Sequence, residues 1–78
     1  MNTTFVVSTS NENHFFSTLE EAQKDMEWGI DEMNKIGVKG DIILFEIPEN
    51  ENEDLSTKDH FIKCLENETA VEIEKETV

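Results

Sequence analysis

The sequence predicts a small α+β domain of order β-α-β-β-β, a mainly antiparallel sheet with one amphipathic helix on one face. Three observations point there. A capping box of Ser17 and Glu20 precedes a long helical stripe, a near-continuous apolar run covers 41–47, and apolar and charged residues alternate over 70–74. Across 1–78 there is no internal repeat and no linker, so the length suits a single domain with one core.

Phe5, Val6 and Val7, set among threonines, read as the first strand, and 10–13 as a turn-rich exit from it. His14, Phe15 and Phe16 allow a brief extended segment before the helix. Thr18 and Glu21 repeat the capping box one residue on, and a helix over 18–36 would be about 28 Å long. Leu19, Ala22, Met26, Ile30 and Met33 share its apolar stripe, with Gly29 and Ile36 at the edge. Glu20 and Glu21 suit the positive start of the helix, Lys35 suits its end, and Gly37 is the stop.

The apolar run over 41–47 predicts the central strand, which Pro48 ends. Residues 49–54, four acids and two asparagines, predict a solvated loop. The stretch 60–66 reads as a third strand, Asn67 and Glu68 as a turn, and 70–74 as a fourth strand. One helix covers one sheet face. Ile42 and Leu44 point to one side of the central strand and Ile43, Phe45 and Ile47 to the other, so the open face predicts homodimer formation or partner binding.

Charge is the most informative quantity. Nineteen acids against six lysines give a net −13, well beyond the magnitude of about 2–8 that suits a small-domain surface. Self-repulsion of this size opposes compaction, so a functional cause is expected. No arginine is present to fork onto phosphate and no basic stripe is visible, which argues against direct nucleic-acid binding. The N-terminal residues lack a basic, then apolar, leader pattern, and no run approaches the roughly 20 apolar residues of a membrane span. A cytoplasmic protein without a membrane partner is the expectation, and the lone Cys64 fits a reducing compartment.

Chemical motifs are sparse. The three glycines form no phosphate loop, and the acidic loop lacks the central glycine of an EF-hand. His60 and Cys64 offer two ligands where structural zinc takes four, with His14 distant in sequence. Carboxylate pairs are abundant, but a chain with one helix has little material for a catalytic cleft. No metal, no cofactor and no enzymatic activity are therefore expected.

Binding residues stand out more clearly. Trp28 lies about 160° from the centre of the helix stripe, with Asp25 and Asp31 three residues away and Glu32 four, an aromatic anchor ringed by charge. Packing on Lys24 or a nearby loop is its purely structural explanation. Glu27 and Asp31 on the helix stand roughly 6 Å apart, and Glu72, Glu74 and Glu76 on the last strand roughly 6.7 Å apart. Such rows imitate the regular negative charge of a nucleic-acid backbone. The expected function is an acidic protein-binding inhibitor that occupies the nucleic-acid-binding surface of a basic partner. By composition it is analogous to small inhibitors that mobile elements carry against host defence enzymes. A generic interaction module or homodimeric structural protein is the alternative.

Overall fold

The computed structural model describes residues 3–78 and contains β1 (Thr3–Ser8), β2 (Asn13–Phe16), α1 (Leu19–Ile36), β3 (Asp41–Pro48), α2 (Thr57–Glu66) and β4 (Val71–Thr77). The order is therefore β-β-α-β-α-β with two helices, which corrects the expected β-α-β-β-β with one. The sheet runs β2-β1-β3-β4, and every neighbouring pair is antiparallel.

The stretch expected as a third strand is α2. Ser56 caps it, its hydroxyl accepting from the Asp59 N–H at 3.2 Å. Phe61 and Cys64, three residues apart, are its buried side chains, which is the spacing of a helix face and not of a strand. The brief extended segment before α1 is the edge strand β2, where Phe15 pairs with Val6 and Phe16 with Phe5.

Helix α1 begins and ends where its capping residues set it. Of the two candidate caps, Thr18 is the one used: its Oγ1 accepts from the Glu21 N–H at 3.2 Å and donates to Glu21 Oε1 at 2.8 Å. Gly37 closes the helix at φ 74°, returning its N–H to the Met33 carbonyl, a left-handed conformation that favours glycine.

Strand β3 is sandwiched between the helices. On one face Val7, Ile42 and Leu44 pack with Ala22 and Met26 of α1. On the other, Val6 and Ile47 pack with Phe61 and Cys64 of α2, with Phe15 and Phe45 alongside. The face expected to be open for a homodimer is thus covered by the chain's own second helix. Gly29 lets α1 sit close, since a Cβ there would stand 2.8 Å from Ile42 Cδ1.

Phe61 anchors α2, edge-on to Phe15 with ring centroids 6.1 Å apart and tilted against Phe45 at 5.5 Å. Phe61→Ala should cost about 3–5 kcal/mol in urea unfolding. Leu65→Ala, at a side chain 43% exposed, should cost less than half of that. Equal losses would contradict the packing of α2 through Phe61.

Candidate functional site

Five of the seven acids singled out from the sequence divide between two clefts on either flank of α1. The first lies against β4. Glu74 pairs with Leu44 and Glu76 with Ile42, and since both of those face α1, so do the two carboxylates. There they line one cleft with Gln23 and Glu27. The Gln23 amide donates to Glu74 Oε1 at 3.5 Å.

Glu72 does not join them. The ladder shifts register between Leu44 and Phe45, leaving Ile73 as an extra residue, and Glu72 pairs with Phe45 on the α2 face. A strict alternation would have aligned all three acids. The bulge sends two to one face and one to the other. Asp31 is exposed on α1 and lines neither cleft.

The second cleft is a groove of about 260 Å³ between α1 and the β1–β2 turn. Asp25, Trp28 and Glu32 line its helix side, Glu12 and His14 the hairpin side, and Val7 and Ile42 belong to its apolar floor. Trp28 is 61% exposed. The Lys24 ammonium is turned to Glu20 Oε1 at 3.8 Å, and the β1–β2 turn is the nearby loop that lines the groove with Trp28. The turn is held by Thr9, whose backbone N–H donates to the Glu12 carbonyl at 2.8 Å and whose hydroxyl accepts from the Glu12 N–H at 3.0 Å.

Glu12 and His14 are the residues that sequence reasoning left out of the site. His14 Nδ1 donates to Asp25 Oδ2 at 2.9 Å and Nε2 donates to Glu12 Oε2 at 2.9 Å, so the ring in this arrangement is an imidazolium. The hydrogen bond to Asp25 is the chief reason its pKa is raised; partial burial opposes, and the charges of Asp25 and Glu12 and the Glu12 hydrogen bond add to the rise. One histidine therefore clasps the hairpin turn to α1. The only signal in the sequence was a group able to take a proton, set two residues after an acid in a chain crowded with them.

His60 and Cys64 have structural partners. His60 Nε2 donates to the Pro48 carbonyl at 2.7 Å, and the buried Cys64 Sγ lies 3.6 Å from that nitrogen. Among the described residues no three His, Cys, Asp or Glu side chains group as metal ligands, and no helix is long and apolar enough to cross a membrane. No protein-family model, no curated protein and no solved structure matches the chain.

Because folding raises the His14 pKa above its ordinary 6.5, the clasp contributes its full stability below that value and loses it as pH rises through the folded-state value. The urea midpoint of the parent should therefore fall relative to His14→Gln as pH climbs above 6.5. A gap between the two midpoints that does not change with pH would contradict the clasp.

Proposed function

We propose that this chain is an acidic protein ligand that occupies the nucleic-acid-binding surface of a basic partner and thereby blocks it. The observation that carries the reading is the meeting of Glu27, Glu74 and Glu76, from a helix and an edge strand, at one cleft lined by no cation among the described residues. Like charges brought together oppose folding, by about 0.2–0.5 kcal/mol per close pair. The three side chains are exposed and fill no part of the core. A row of lysines and arginines evolved to hold phosphates meets the same sign of charge on this surface.

Charge alone attracts any basic protein, so selectivity needs shape and an anchor. Trp28, exposed on the same helix, supplies the aromatic side chain that dominates such interfaces. On this reading Glu27, Asp31, Glu74 and Glu76 steer the encounter, while Asp25 and Glu32 flank the anchor. Glu72 lies on the α2 face and belongs to a different surface.

A second reading, self-association, is favoured by one observation. β4 is an edge strand, and Val71 and Ile73 on it are among the exposed apolar side chains. Two copies paired along that edge would set Glu72, Glu74 and Glu76 against the acids of the other copy, each chain carrying −13. Such a pair should form only at high salt, whereas a mimic engages its partner best at low salt.

Capture from the native host at moderate salt should yield a basic nucleic-acid-binding protein, and its nucleic acid should compete for it. A ternary complex with unchanged nucleic-acid affinity would reject the proposal. Replacing Glu27, Glu74 and Glu76 together by Gln should raise the thermal midpoint by roughly a few degrees at low salt and less at high salt. The same variant should slow association with the captured partner about tenfold or more at low salt. Trp28→Ala should shorten the lifetime of the complex by about a hundredfold while leaving the urea midpoint nearly unmoved; equal lifetimes would remove Trp28 from the interface.

A further inference from the structure

We infer that the groove beside Trp28 is a receptor for a single arginine side chain of the partner. The inference rests on the proposed function and names what that surface grips. Three features of the groove converge on this occupant. Its apolar lining includes Ile36 and Val38, 64% and 42% exposed, beside the buried Val7 and Ile42, a surface that suits a methylene stem and not a charge. Its rim carries three carboxylates, those of Glu12, Asp25 and Glu32, against the single cation of His14, and the net negative charge repels phosphate and any acidic side chain. Its wall is the indole of Trp28, and the close aromatic pairs among the described residues are all between phenylalanines, so the ring has no stacking partner of its own.

The rim is also prearranged. His14 engages only Oδ2 of Asp25 and only Oε2 of Glu12, which leaves the second oxygen of each carboxylate to accept from a ligand. Glu32 makes no ion pair among the described residues and is partly buried against the groove. A guanidinium presents five donors in a plane, reaches several carboxylates at once and stacks flat on an indole. An ammonium presents a point charge with a tight hydration shell and matches this geometry less well. Proteins that clasp phosphate and base edges display arginine for the same reasons, so the side chain that holds nucleic acid is the one this groove withdraws.

The test needs no identified partner. Trp28 is the only tryptophan in the chain, so its emission reports the groove alone. The full chain is titrated with the blocked tripeptide Ac-Gly-Arg-Gly-NH2 and with the same peptide carrying citrulline or lysine in place of arginine. The arginine peptide should give a saturable change, with citrulline, its neutral isostere, at least about tenfold weaker and lysine weaker than arginine. Glu32→Gln should weaken the arginine response about tenfold, and because the Glu32 side chain makes no hydrogen bond or ion pair among the described residues, this isosteric variant stays folded. Glu51→Gln together with Glu53→Gln, exposed in the loop between β3 and α2, should leave it unchanged. Citrulline or lysine binding as well as arginine would overturn the inference, as would an equal loss from the two sets of substitutions, which would mean diffuse attraction. A groove that ignores arginine while the captured partner still competes with nucleic acid removes this inference alone. A groove that binds arginine beside an unblocked partner removes only the mimicry.

Discussion

Strand β3 must be dry on both faces, and the rest of the molecule is arranged to make it so. Ile42 and Leu44 look one way and Phe45 and Ile47 the other, within an eight-residue strand. Each face requires its own apolar cover, which a chain this short supplies with one helix per side. Strand β1 shares the burden through Val6 and Val7, which point to opposite faces and are both buried. The two edge strands carry no fully buried residue, and β4 is exposed along its whole length. Once the core is complete, the outer side of α1 and the whole of β4 are released from core duty, and many of the acids sit there.

That same constraint was present in the sequence, and following it would have corrected the misread element. Helix α1 is legible because capping chemistry, apolar period and terminal glycine all agree over eighteen residues. The central strand is legible because its apolar run is nearly unbroken. Helix α2 is ten residues long, too short for its period to outweigh the β-like look of His60, Phe61 and Ile62. Its cap, Ser56 with Asp59 three residues on, was visible, and so was the need for something to cover Phe45 and Ile47. Strand β2 was legible only as a fragment, since four residues at a sheet edge leave little pattern. The β4 bulge was illegible, because its sequence alternates cleanly and the register slip arises only in pairing with β3. For the candidate site, the place of Trp28 opposite the apolar stripe followed from helix geometry alone, whereas the meeting of Glu27 with Glu74 and Glu76 depends on strand order, which local sequence does not encode.

Positive charge is distributed unevenly around these acids. Lys24 and Lys75 pair with Glu20 and Asp41 at 3.8 Å, both at exposed sites where screening by water leaves such contacts little net effect. His14 is different in kind, with two carboxylates at 2.9 Å on opposite sides of one ring. It locks the hairpin turn against α1 and fixes the rim of the groove, so the fold and the groove share a proton. Among the described residues, the cleft beside β4 is lined by no such neutralising group. One flank of α1 is thus chemically ordered, with charge, apolar floor and aromatic wall in set positions, and the other is a bare concentration of negative potential.

The difference between the flanks assigns them different kinetic work in the proposed complex. Bare charge acts over roughly a Debye length of 8–10 Å and raises the rate of encounter, but it adds little to lifetime once salt screens it. A groove that seats one side chain acts only at contact and governs how long the complex survives. The helix between them is about 10–12 Å across with its side chains, so a single basic surface on a partner spans both. A cluster of acids that weakens the fold is then matched to an anchor that does not depend on long-range charge, and removing either should leave a ligand that arrives without staying or stays without arriving. Gly29 ties this division back to the core: the close approach of α1 to Ile42 that it permits sets the depth of the groove floor, so the same contact that dries β3 also shapes the place where a partner would be held.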